Sequence, residues 1–273
     1  MMGIQTDSTH QSGLTYERFM GRWSRPSGRL FVDWLKIPPH QRWLEVGCGT
    51  GAFTEVILSE CAPTSIRAFD LSEQQIAYAR MRIKDPRVAL EVGNAQSIHA
   101  AASSFDVAVS ALALNFMADQ QKAVAEMTRV VRPGGDIAAY VWDFAGRRNI
   151  TQHLSEAMAA VAPKLEQQAR TAQQADTTRP EVLERLFRSA GLDAVETHSL
   201  DTIAEFDDIE DYWQSNTSLI SPLSAIGTAN NELRGGHIDA LKAKLKELLP
   251  SNRDGKIAFP VRAWAARGVV RAG

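Results

Sequence analysis

Between residues 41 and 143, short β-rich apolar runs alternate with stretches whose apolar positions recur every three or four residues. Short apolar or alternating runs suit strands, and a 3.6-residue period suits a helix packed by one face. The pattern predicts strands at 42–46, 65–70, 89–93, 105–110 and 136–142, with helices at 51–60, 72–84 and 119–131 between them. Such alternation predicts a parallel sheet covered by helices. Ser72 and Gln75 have capping-box spacing, in which each side chain satisfies a free backbone N–H at the helix start. The third helix is expected to stop at Arg132-Pro133-Gly134-Gly135, because proline cannot continue it and glycine permits the reversal.

The remaining third reads differently. Leu154, Met158, Val161 and Leu165 recur at helical spacing in an Ala-, Gln- and Glu-rich stretch, predicting a helix over 150–174 outside the sheet. A helix over 179–190 closes at Gly191, followed by a strand-like run at 194–206, a helix at 240–249 and another strand-like run at 256–269. These last two strands are expected to pair antiparallel at the sheet edge. The expected fold class is α/β: a doubly wound, mostly parallel seven-stranded sheet with an antiparallel edge strand and a partly helical cap. Along the chain this gives a lead-in and lid at 1–40, a core at 41–146, a helical insertion at 147–178 and the rest of the core at 179–273, with a cap insertion near 207–252.

Composition removes several function classes. A chain of 273 residues, 44% hydrophobic, can bury one sizeable core. Its 30 basic and 32 acidic residues give a net charge of -2, so no surface for tracking phosphates, and hence no nucleic-acid partner, is expected. No stretch approaches the roughly 20 apolar residues that span a bilayer, and residues 1–13 are polar, not a charged-then-apolar leader. The expectation is a cytoplasmic protein away from the membrane. Cys48 and Cys61 suit a reducing compartment and lie in no Cys/His cluster of zinc spacing, so no metal is expected.

Trp43-Leu44-Glu45-Val46-Gly47-Cys48-Gly49-Thr50-Gly51 is a strand running through glycines into a helix. Residues without side chains there let the backbone approach a ligand at the carboxyl end of a strand, where open α/β sheets bind ligands. Gly47, Gly49 and Ala52 also fit the dinucleotide fingerprint, so an NAD-dependent oxidoreductase remains a rival reading. Glu45 weighs against it, because a carboxylate at this point suits a cationic amino-acid group. Asp70 ends the second strand, where it can accept both hydroxyls of a ribose. Gly93-Asn94-Ala95-Gln96 after the third strand is a polar turn suited to an adenine edge.

This combination resembles the class I S-adenosylmethionine-dependent methyltransferases, in particular the small-molecule group that includes the ubiquinone-biosynthesis type. Glu45 to Gly51 is similar to that family's E/D-x-G-x-G-x-G loop, and Asp70-Leu71-Ser72 to its ribose-binding acid followed by an apolar residue against adenine. Asn94-Ala95-Gln96 resembles its D-A-x element with Asn for Asp, which keeps an acceptor but loses the charge. Ser110 to Phe116 resembles the fourth-strand motif and Arg129 to Gly135 the L-x-P-G-G exit. The resemblance implies S-adenosyl-L-methionine as cofactor, with S-adenosyl-L-homocysteine as product. It implies cofactor contacts at Glu45, Gly47, Cys48, Gly49, Gly51, Asp70, Leu71, Asn94, Ala95, Gln96 and Ser110.

Tyr16 to Arg25 mixes aromatics with arginines and resembles the segment that closes over the cofactor in many of these enzymes. Arg22 is the expected partner of the methionine carboxylate, since a guanidinium fork matches that group. The plainer alternative is a surface helix with Phe19 and Trp23 packed on the core. Expected substrate contacts are Tyr16, Met20, Asn115, Phe116 and Trp142, and the general-base candidates are His153, His237 and Tyr16. The function expected is methyl transfer to a small organic acceptor at oxygen, nitrogen or carbon. A cofactor-binding protein of the same fold with a regulatory or non-methylating role is the second reading. Acceptor and oligomeric state are not legible.

Overall fold

The structure is a computed structural model that describes residues 22–164, 166–167, 178–217 and 235–272, without the side chains of residues 22, 217 and 235–237. Tyr16 and Met20 lie outside the described residues, as do the side chains of Arg22 and His237.

The chain opens with α1 (Arg22–Leu35) and continues through β1 (Arg42–Val46), α2 (Ala52–Glu60), β2 (Ser65–Asp70), α3 (Glu73–Arg82), β3 (Val88–Val92) and β4 (Phe105–Ala111). A 3₁₀ turn at Leu114–Phe116 leads to α4 (Gln120–Val130) and β5 (Val131–Trp142). There follow α5 (Gln152–Val161), α6 (Pro180–Ser189), β6 (Asp193–Phe206), α7 (Ile209–Thr217), α8 (Gly235–Leu248) and β7 (Ile257–Val269). Among the described residues the strands form one sheet in the order β3-β2-β1-β4-β5-β7-β6. β1 to β5 pair in parallel, while β7 runs antiparallel to both its neighbours and stands one place in from the edge, so β6 is the edge strand.

The alternation of side chains along each strand separates two cores. Trp43, Val109 and Tyr140 face a layer containing Phe31 of α1, Phe53 of α2 and Ile76 of α3. Leu44, Ala108 and Val141 face Val124 of α4 and Phe187 of α6. Phe31, Phe53 and Tyr140 pack with ring centroids 4.7 to 5.9 Å apart, anchoring α1 and α2 to the middle of the sheet. Arg25 of α1 and Arg82 of α3 both pair with Glu55 of α2, each with a closest contact of 2.8 Å. The predicted capping box forms in part: Ser72 Oγ accepts from Gln75 N at 3.3 Å, while Ser72 N donates to Asp70 Oδ1 at 2.9 Å; Asp119, which was not predicted as a cap, accepts at Oδ1 from Lys122 N at 2.9 Å.

Three expected boundaries are corrected. β5 begins at Val131, not 136, because Val131 pairs with Phe105 while Val107 pairs with Asp136, leaving Arg132 to Gly135 as a bulge within the strand. The helix predicted over 150–174 is broken at Ala162, which precedes Pro163 and is pushed out of helical geometry; residues 163, 164, 166 and 167 are helical again, and 168–174 lie outside the described residues. α8 packs on α5 and α7 and is already helical at Gly235, ahead of the predicted 240.

Candidate functional site

The loop from β1 to α2 owes its course to glycine. Gly47 has φ +78, a left-handed conformation that side chains disfavour, and a Cβ there would stand 2.5 Å from Ala113 Cβ. The N–H groups of Gly47 and Cys48 donate to Phe69 O at 2.8 and 3.0 Å, so the loop is laced to the end of β2. One residue on, Asp70 Oδ2 accepts from Gly49 N at 3.0 Å and Oδ1 from Ser72 N at 2.9 Å. The carboxylate therefore holds both loops while keeping lone pairs for a ligand. Burial raises its pKa, against the N–H groups of Ser72, Gly49 and Leu71.

A cleft of about 410 Å³ opens beside Asp70. Gly47, Leu71, Asn94, Ala95, Gln96 and Phe116 are among the residues that line it. Leu71 and Phe116 are 75% and 57% exposed, so two large apolar side chains stand at the mouth with little protein against them. Asn94 Oδ1 accepts from Gln96 N at 2.9 Å, which shapes the polar turn from within. A larger groove of about 720 Å³ lies near Trp23, Phe206 and Lys256. Pro26 of α1 and residues at the end of β6 also line it, and it shares no lining residue with the cleft beside Asp70.

Below the loop, Glu45 is fully buried. Thr54 Oγ1 of α2 donates to its Oε2 at 2.6 Å, and Oε1 has no partner. Burial pushes the carboxyl up to about 8, opposed by the Thr54 hydrogen bond and assisted by the charge of Asp70. Cys48 is buried with its thiol pKa raised by burial first and then by the charges of Glu45 and Asp70, which disqualifies it as a nucleophile.

The substrate-side expectations separate. Phe116 lines the cleft with Leu71 and Asn94. Asn115 and Trp142 are 5% and 1% exposed, with Asn115 Nδ2 and Trp142 Nε1 unpaired. Ser110 is fully buried on the opposite face of the sheet from Glu45, its hydroxyl unpaired. His153 packs edge-on against Phe259 at 4.6 Å, its Nδ1 is buried without a partner, and burial lowers its pKa against the charge of Glu156. Sequence reasoning missed Thr54, Ala113 and Gln75. Gln75 was read only as a helix cap and Ala113 only as part of the fourth-strand motif, while Thr54 left its trace as a hydroxyl among the apolar positions on the inward side of α2.

The residues fit an adenosine bearing an amino-acid tail. Asp70 offers acceptors to a diol, Leu71 and Phe116 offer apolar faces to a purine, and Gly47 lines the cleft with no side chain of its own. Glu45 Oε1 is a buried acceptor in want of a cation. The dinucleotide-binding sheet has the order 3-2-1-4-5-6, whereas here an antiparallel β7 is inserted before β6, which sets the chain apart from the NAD reading. Among the described residues no His, Cys, Asp and Glu group is placed to hold a metal, and no helix is long and apolar enough to cross a membrane.

Residues 44–139 match a family described as a methyltransferase domain. Over 123 residues the chain is 33% identical to the malonyl-acyl-carrier-protein O-methyltransferase of Pectobacterium atrosepticum, covering 45% of this chain and 47% of that protein. Over 138 residues it is 31% identical to the demethylmenaquinone methyltransferase of Renibacterium salmoninarum, covering 49% and 56%. The chain thus spans about half the length of these curated relatives. The crystal structure of the YcgJ protein from Bacillus subtilis shares the fold, with a TM-score of 0.59 and 17% identity over 90% of this chain and 99% of that one.

Proposed function

We propose that this chain, whose residues 44–139 match a methyltransferase domain, is an S-adenosylmethionine-dependent methyltransferase that acts on a small organic acceptor. The observation that carries this reading is the meeting of Asp70, the Gly47 loop and the unpaired Glu45 Oε1 around one side of the sheet. When bound, the cofactor supplies a methyl group on a sulfonium, open to in-line displacement by the acceptor. Asp70 holds the ribose diol, Leu71 and Phe116 enclose the purine, and Asn94 and Gln96 present the polar edge of the turn. Glu45 faces the ammonium end, and Arg22, the first residue of α1, is the proposed partner of the carboxylate.

Displacement of this kind needs alignment and exclusion of water more than acid or base chemistry. On the acceptor side, Asn115 Nδ2 and Trp142 Nε1 are two buried donors without a protein partner, which supports an acceptor presenting oxygen lone pairs. The likeness to an O-methyltransferase is in keeping with this. The test is to incubate the protein with S-adenosylmethionine and fractionated small metabolites and follow S-adenosylhomocysteine by mass spectrometry. Product above the metabolite-free blank is expected. Bound cofactor with no product from any fraction would favour the non-methylating reading instead.

A further inference from the structure

Glu45 lacks what a buried carboxylate needs. Its neighbours across the sheet, Ala68 of β2 and Val109 of β4, are apolar. Thr54 of α2 is a neutral donor, and Trp43, on the same face of β1, has a buried Nε1 that is itself unpaired. Cys48 in the loop above is a buried thiol held neutral, and the charged group that acts on Glu45 is Asp70, another acid. Arg25 is engaged with Glu55 of α2. An ionised carboxylate with one neutral hydrogen bond and no cation would carry a large desolvation penalty, and a buried group in that position neutralises instead.

We propose that Glu45 is protonated in the ligand-free protein and gives up that proton to solvent when the ammonium group of the cofactor's amino-acid end arrives, so that binding releases one proton. This rests on the cofactor reading above. The exchange balances: a neutral acid and an ammonium ion become an ion pair, and the proton passes to buffer. With the acid titrating at about 8, about nine in ten molecules carry the proton at pH 7 and about one in ten at pH 9. The proton acts as a specificity device. A ligand without an ammonium meets a neutral acid and cannot displace the proton, and a ligand that has one gains an ion pair in a dry site.

The experiment is calorimetric titration with S-adenosylhomocysteine in phosphate, Hepes and Tris, whose ionisation enthalpies differ. The slope of the observed enthalpy against the buffer's enthalpy counts the protons released. Expected is release of about 0.9 proton at pH 7, falling to about 0.1 at pH 9. Methylthioadenosine, which has the nucleoside and the sulfur but no ammonium, is expected to release none. E45Q, isosteric with the protonated acid, is expected to bind S-adenosylhomocysteine about tenfold or more weakly with a flat buffer dependence. Binding of S-adenosylhomocysteine to the native protein at pH 7 without proton release overturns the inference, as does undiminished release from E45Q. No binding at either pH overturns the cofactor reading itself.

Discussion

Replacing Gly47 with alanine perturbs the site through two separable costs. The residue sits at φ +78 and its N–H is committed to Phe69 O at 2.8 Å, so the backbone has little freedom to rotate away. Placing an L-residue in that conformation costs about 1–2 kcal/mol. The new Cβ would lie 2.5 Å from Ala113 Cβ, roughly 1 Å inside ordinary contact, and Ala113 lines the same cleft. Overpacking of this size costs about 1–3 kcal/mol, giving a total of about 2–5 kcal/mol. A domain of ordinary stability, about 5–15 kcal/mol, survives that loss. The fold therefore persists with Ala113 pushed toward the ligand space, and affinity for S-adenosylhomocysteine falls. Gly255→Ala is the control, because its φ is +81 and no atom lies within 4 Å of the added Cβ, so only the conformational cost applies and ligand affinity is unchanged. Urea denaturation and calorimetric titration of both variants are the assays. A Gly47→Ala protein as stable as Gly255→Ala, with affinity within twofold of native, would refute the packing argument.

Three further outcomes follow from the same geometry. Asp70→Ala removes the acceptor for Gly49 N and Ser72 N and the proposed ribose partner, and it is expected to weaken S-adenosylhomocysteine by about 1.5–3 kcal/mol; unchanged affinity in a titration would place the ribose elsewhere. Phe116→Ala, at a side chain 57% exposed, is expected to change stability by less than about 1 kcal/mol and to raise the Kd for S-adenosylhomocysteine several-fold, whereas an effect confined to acceptor KM would return Phe116 to the acceptor side. Glu45 is raised from 4.5 to about 8 in the folded protein, so the folded state keeps a proton that the unfolded state has lost. Ligand-free stability is expected to fall as pH rises through that window, by up to about 1.4 kcal/mol per unit, and to level off above it. Glu45→Gln removes this slope, and parallel pH profiles in denaturation experiments would contradict the assignment.

The part of the candidate site proposed to meet the cofactor gathers at one rim as the sequence implied, because its residues are local. Glu45, Gly47 and Gly49 lie within five positions, Asp70 closes the next strand, and Asn94 to Gln96 follow the third. A parallel sheet brings all three strand ends to one rim. Phe116, expected on the acceptor side, lines the same cleft as Leu71 and Asn94, carried there by the 3₁₀ turn at Leu114–Phe116, and no periodicity signals such a turn. Trp142, expected as a contact at a strand end, is buried, because antiparallel pairing of β5 with β7, placing Ala263 opposite it, extends the sheet past that point; its unpaired Nε1 is what is left to meet an acceptor. The bulge at Arg132 to Gly135 was read as a helix exit alone, since Pro and Gly mark a reversal whether or not a strand has already begun. The β6 and β7 pairing was legible from two long strand-like runs. The insertion of β7 before β6 was not, because strand order depends on contacts distant in sequence.

The central claim is that this chain holds S-adenosylmethionine in the cleft beside Asp70. Calorimetric titration of the purified protein with S-adenosylmethionine and S-adenosylhomocysteine, with NAD and NADP under the same conditions, tests it most directly. The account predicts saturable one-to-one binding of the first pair, lost or weakened in Asp70→Ala, and no binding of the second. Binding of a nicotinamide nucleotide in preference to S-adenosylmethionine, or no binding of either sulfur compound, would contradict it.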